Sequence, residues 1–205
     1  MIRIKNRFGF LTVTSIALFS MMMNGCGAFG GHYIIESATV EEGPVEAKFP
    51  LNVRLVLNSE LCNYSYTSYR QGAKRFYELG NALCVNHRNL FGALFENVTV
   101  VSDATEGNAS GYDVTVIPNI IDTSALVRPG APPSFEATVI YECSMVDNHQ
   151  RTIFLRTIKE DKVYQGYGRN SHKNVMQQAV DEVFVRLKDE MVSSPEIKKF
   201  ANALK

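Results

Sequence analysis

The sequence predicts an α+β fold: an antiparallel or mixed sheet with two main helices packed on one face and a short further helix at the C-terminus. Phe135, Ala137, Val139, Tyr141, Cys143 and Met145 alternate with Glu136, Thr138, Ile140, Glu142 and Ser144, the period-two pattern of a strand with one buried face. Val175, Met176, Ala179, Val180, Val183, Phe184, Leu187 and Met191 form an apolar stripe of helical period, with Asp181, Glu182, Arg186, Lys188 and Asp189 largely off it. The element order is strands, a helix, a run of strands, then helices. Helices laid over one face of a sheet bury both stripes most simply.

At the N-terminus, Arg3, Lys5 and Arg7 precede an apolar run, Phe8–Met23, and then Asn24-Gly25-Cys26. These are the n-region, the h-region and the small residue before the cut of a secretory signal. Sixteen residues at about 1.5 Å each reach roughly 24 Å, short of a hydrocarbon core of about 30 Å, so a cleaved signal is favoured over a permanent span. A Cys at the cut resembles the lipobox of bacterial lipoproteins, with Met23 standing where Leu is usual. That resemblance implies a diacylglycerol on the Cys26 thiol, cleavage before Cys26, and acylation of the new amine with a palmitate-type chain. More than one chain is what stable anchoring requires. Gly27, rather than Asp, follows the Cys; by resemblance to the enterobacterial sorting rule this implies the outer membrane, periplasmic face. The chain then divides into a signal over 1–25, a lipidated Cys and flexible tether over 26–50, and a single α+β domain over 51–205.

Within 51–205 the first strand is predicted at Leu51–Leu57, where Leu51, Val53, Leu55 and Leu57 share a face. Asn58–Gln71 is polar and tyrosine-rich, with a short strand after it at Arg75–Leu79. Leu83, His87, Leu90, Phe91 and Leu94 define one face of a helix over Asn81–Phe95. Strands follow at Asn97–Val101 and Tyr112–Ile121, where Pro118 argues for an edge or a bulge. Asp122–Ser134, with Pro129-Gly130-Ala131-Pro132-Pro133, reads as an exposed loop. Asp147-Asn148-His149-Gln150 turns the long strand into a hairpin partner from Arg151. Ser194-Pro195-Glu196 supplies an N-cap, a first-turn Pro and an acid, starting a last helix to about Ala203.

Composition narrows the function classes. Removing Arg3, Lys5 and Arg7 from 21 basic residues leaves 18 against 21 acidic ones, a formal charge of −3, with no basic stripe for nucleic acid. Three cysteines remain beyond Cys26, so at least one is unpaired. Cys143 falls on the buried side of its strand, and Cys62–Cys84 is the candidate disulfide, its pairing left open by sequence alone. Cys84 and His87 are too few ligands for a metal site, and His87 reads as a hydrogen-bonded core histidine. His32, His149 and His172 read as solvated, and no nucleophile–base–acid set or G-x-S-x-G is present. Gly166-Tyr167-Gly168 reads as a joint rather than a phosphate loop. Neither catalysis, nor a cofactor, nor a metal is expected. Tyr64, Tyr66 and Tyr69 follow no single face throughout, so some should be exposed; with Arg128 in the Pro-rich segment they are the candidate partner contacts.

The Gly25-Cys26 pair, the strand at Asp113–Pro118 and the tail at Asn174–Lys205 resemble the YajG-type family of outer-membrane lipoproteins. The tail carries a long amphipathic helix, a short break and a short capped helix. The family implies little chemistry. Related architectures imply an accessory to an envelope assembly or transport complex, with an envelope protein as partner and the membrane held through the N-terminal lipid. A lipid or small-ligand carrier, using space between sheet and helices, is the alternative, and a peptidoglycan link through Lys205 is weaker than an ordinary helical tail.

Overall fold

The computed structural model describes residues 30–38, 48–70, 73–104, 111–168 and 170–204. The signal over 1–25, Cys26, most of the 26–50 tether and Lys205 lie outside the described residues. The elements are β1 (Gly31–Ile34), β2 (Phe49–Val56), a one-turn helix α1 (Ser59–Cys62), β3 (Ser65–Arg70), β4 (Ala73–Glu78), α2 (Gly80–Leu94), β5 (Phe95–Val101), β6 (Val114–Arg128), β7 (Ser134–Asp147), β8 (Thr152–Gln165), α3 (Ser171–Ser193) and α4 (Pro195–Ala203). This is the α+β class the sequence predicts, built on two sheets rather than one.

The larger sheet has the order β5-β2-β6-β7-β8. β2 runs parallel to both β5 and β6 and is buried on both faces from Val53 to Val56, as internal parallel strands are. β6, β7 and β8 form an antiparallel meander whose inner row, Ala137, Val139, Tyr141, Cys143 and Met145, lies at 0–2% exposure. α3 covers β7 and β8 and touches α2, so the apolar stripe from Val175 to Met191 closes one continuous core. None of the helices formed by the described residues is long and apolar enough to cross a membrane.

The smaller sheet has the order β1-β4-β3, with β1 parallel and β3 antiparallel to β4. It leans on the second half of β6, where the Ser68 hydroxyl donates to the Ala125 carbonyl at 3.0 Å. β1 corrects the expected tether: Gly31–Ile34 pairs with Arg75–Glu78 and Ile35 is 1% exposed. β2 likewise begins at Phe49, ahead of the expected boundary. Beyond β1 the Glu36 amide donates to the Gln177 side-chain oxygen, the Gln177 amide nitrogen donates back to the Glu36 carbonyl, and Lys173 pairs with the Glu36 carboxylate. A four-residue strand has too few side chains to show a period, so only pairing reveals it.

The segment expected as a loop over Asp122–Ser134 is also corrected. β6 continues to Arg128, and only Pro129–Pro133 remain between it and β7. A bulge between Ile120 and Asp122 shifts the register by one, so the buried positions change from Val114, Val116 and Pro118 to Thr123 and Ala125. One extra residue inverts the parity of everything after it, which breaks the alternation. Pro118 is not on an edge strand. It sits where β6 has passed its pairing with β2, which ends at Val116, and where no ladder amide is needed on that side.

The C-terminal turn follows its sequence signals. Ser194 Oγ accepts from the Ile197 amide at 3.2 Å, Pro195 is the first helical residue, and Ile197 and Ala201 are buried. Ser194→Ala is expected to cost about 1 kcal/mol, read as a midpoint lowered by roughly 2–4 °C in thermal unfolding. An unchanged midpoint would show that the cap contributes nothing to α4.

Candidate functional site

The structure divides the predicted residues between the two ends of the small sheet. At one end, Cys62 and Cys84 form a disulfide with a Cα–Cα distance of 5.4 Å, joining α1 to α2. The backbone there is tightly folded: the amides of Leu79 and Gly80 both donate to the Tyr64 carbonyl, and a Cβ at Gly80 would overlap Cys62 O and Tyr64 N. Tyr64 is half-buried and donates to Thr123 Oγ1 at 3.2 Å. It lines an open cleft with Asn58, Glu60, Leu61, Asn119 and Ile120.

Tyr69 sits at the other end, 71% exposed, with the Lys74 ammonium 5.8 Å from its ring centroid. Tyr66 lies between the two, half-buried and packed against the Tyr77 ring. Arg128 stands on the last position of β6 and forms a bidentate pair with Glu136, which holds the Glu136 carboxyl below its ordinary range. Ser68 lies against Ala125, and Tyr64 against Thr123, so β3 and the second half of β6 run side by side in the same sense. The end of β3, the start of β4, the 129–133 segment and the start of β1 therefore gather at one end of the described residues. Tyr69 and Arg128 share that end; Tyr64 does not.

Inside the same end lies a group the sequence reading passed over. β4 turns Ala73, Arg75 and Tyr77 inward. Tyr33 stacks on Tyr77 at 5.2 Å between centroids, and His172 is 5.9 Å from Tyr33 and 4.5 Å from Phe135. His172 Nδ1 is 3.4 Å from the Tyr77 hydroxyl. His172, expected to be solvated, is half-buried at the start of α3. Burial, reinforced by the Arg75 charge, lowers its pKa to about 4. Burial likewise raises the Tyr77 phenol, which stays protonated. The signal was present in the spacing Arg75-x-Tyr77-x-Leu79, which puts an arginine in the inward row.

His87 occupies the centre of the core. Its Nδ1–H donates to the Leu83 carbonyl at 2.6 Å, because a carbonyl can only accept, so Nε2 accepts from the Tyr141 hydroxyl at 2.6 Å. Burial lowers its pKa to about 4 and pushes the neighbouring Cys143 thiol up to about 12. Both ring nitrogens are occupied, and the described residues hold no group of three metal-ligating side chains. Above pH about 6.5 His87 is neutral whether the chain is folded or unfolded. Between about 6.5 and 4 only the unfolded chain takes up the proton, so stability falls as pH falls through that window. Urea midpoints are expected to drop from about pH 7 to about pH 4.5, with a smaller drop in His87→Gln. Equal drops in both proteins would remove His87 as the cause.

The class so defined is an α+β protein of two sheets with a helical layer, a buried neutral histidine and an aromatic end close to its N-terminal strand. No protein-family model matches the chain, and no curated protein matches it in sequence. Its fold is shared with a Xanthomonas campestris protein of the DUF330 family, at TM-score 0.54 and 11% identity over 80% of this chain and 95% of that one. A minor lipoprotein from Acinetobacter baumannii gives TM-score 0.42 at 9% identity, over 69% of this chain and 90% of that one. At these identities the likeness concerns the fold, and the lower score carries no argument.

Proposed function

We propose that this chain is a lipid-anchored, non-catalytic binding protein on the periplasmic face of the outer membrane, serving as an accessory to an envelope assembly or transport complex. The observation that carries this reading is the position of the candidate contacts. Tyr69, Arg128 and the 129–133 segment lie at the end where β1 begins. Cys26 precedes Gly31 by five positions, at most about 18 Å of chain. Acyl chains on Cys26 would hold this end close to the bilayer and raise its effective concentration toward a membrane-bound partner. The YajG-type likeness of the lipobox and of the capped tail agrees with this reading, although it names no partner. The carrier reading draws less support, because Leu90, Phe91, Tyr141 and Phe184 fill the space between the large sheet and its helices at 0–1% exposure.

Crosslinking the full lipidated chain in intact cells tests the proposal. Tyr64 and Tyr66 pack on the core, so the informative variant is Tyr69→Ser combined with Arg128→Ala. One stoichiometric envelope protein, captured by the wild type and lost with that variant, is the expected result. Capture that is indifferent to the variant would move the contact elsewhere, and recovery of the chain with no partner would end the accessory reading.

A further inference from the structure

We propose that Arg75, with Tyr33, Tyr77 and His172 around it, forms a binding site for a phosphate-type oxyanion. Arg75 is 8% exposed, its Nε is buried without a hydrogen-bond partner, and no described carboxylate pairs with it. An ionised guanidinium does not lose its proton in proteins, so burial leaves an uncompensated charge. Charges so placed are normally paired, and none of the described residues supplies the pair. Glu78, the nearest acid on β4, is on the outward row and is bonded to His32.

The surroundings favour an anion from several directions. Arg75 sits in register between Gly31 on β1 and Ser68 on β3. A side chain at Gly31 would collide with the Tyr33 ring, which folds back over that position. Tyr77 keeps its hydroxyl proton, and His172 is uncharged over the physiological range. His172 belongs to the first turn of the 23-residue α3, and Asn170 makes no side-chain cap on it. A tetrahedral anion takes donors from the guanidinium fork and from the hydrogen-bonded Tyr77–His172 pair, which keeps one proton free to donate. Among the described residues the other buried side chain without a partner, Asn86, is 0% exposed, whereas Arg75 keeps 8% exposure and lies near half-buried Tyr33 and His172.

The phosphate reaches this site either as a phospholipid headgroup or as a free phosphate group. The headgroup source rests on the anchoring reading, since Gly31 lies beside Arg75 and follows Cys26 by five positions; the free source does not.

The test uses the full lipidated chain in detergent micelles, with thermal unfolding as the readout. The probes are inorganic phosphate against chloride at equal ionic strength, and micelles doped with phosphatidylglycerol against micelles doped with diacylglycerol. A saturable rise in midpoint is expected for the wild type. Arg75→Met is expected to unfold at the same or a higher temperature without ligand, because it removes an unpaired buried charge, and to lose the response by about tenfold or more in apparent affinity. Tyr77→Phe keeps the ring and is expected to weaken the response severalfold, which covers the case of an Arg75→Met chain that does not fold. A response to both probes identifies free phosphate as sufficient, and a response to phosphatidylglycerol alone identifies the headgroup. No wild-type response to either probe, or an equal response in both variants, overturns the proposal. Loss of anchoring with an intact phosphate response would separate failure of the functional reading from failure of the site.

Discussion

Cys26→Ala is expected to abolish incorporation of labelled palmitate and to leave the chain with its signal attached, at a higher mass than the wild type. The thiol is the only atom in the segment that forms the thioether on which cleavage depends in the lipoproteins it resembles. Without acyl chains the remaining hold on a bilayer is Phe8–Met23, about 24 Å long and interrupted by Thr12, Thr14 and Ser15. Such a run resists alkaline extraction poorly, so membrane fractions washed at high pH should lose most of the variant and retain the wild type. Equal mass, equal labelling and equal retention in the two proteins would end the anchoring proposal and leave the fold untouched.

Removing the Cys62–Cys84 disulfide is expected to cost about 3 kcal/mol, the loop-closure value for a crosslink of this length. The two residues are 22 positions apart, and the loop between them holds β3, β4 and the first turn of α2. The bridge therefore limits the unfolded freedom of two of the three strands of the small sheet. The expected observation is a lower denaturant midpoint for Cys62→Ser/Cys84→Ser, matched by the wild type under reductant. Alkylation of the native oxidised protein should label none of Cys62, Cys84 and Cys143, since the first two are bonded and the third is buried. A midpoint indifferent to reductant would show that the bridge constrains nothing.

Strongly periodic segments were legible in the sequence. β7 reads directly from its alternation, α2 and α3 from their stripes, and the α3–α4 joint from Ser194-Pro195. In each case the pattern is long enough for burial alone to specify it. The parts that escaped share a different cause. The continuation of β6 past Asp122 is hidden by one residue of bulge, and β1 is too short to carry a period. β1 joins the small sheet only through pairing between positions 44 apart, Gly31 with Arg75 and Ile34 with Glu78 included. The candidate site was legible only in part. Tyr69 and Arg128 are surface residues, as a tyrosine-rich and a Pro-rich stretch suggest, but Tyr64 and Tyr66 help to cover the core. Arg75 is hard to find in sequence because a charged residue in a short strand looks solvent-facing until its strand row is known.

The parallel pairing of β1 bears on how the chain carries force. A pull on the residues ahead of Gly31 acts along the strand axis, from the end where β1 meets the start of β4. The paired positions from Gly31–Arg75 to Ile34–Glu78 are then loaded together, in shear, rather than peeled one after another. Behind them the Glu36–Gln177 hydrogen bonds and the Lys173 ion pair fasten the strand to α3. Tension entering at the N-terminus is thus shared between the small sheet and the long helix before any core side chain has to move.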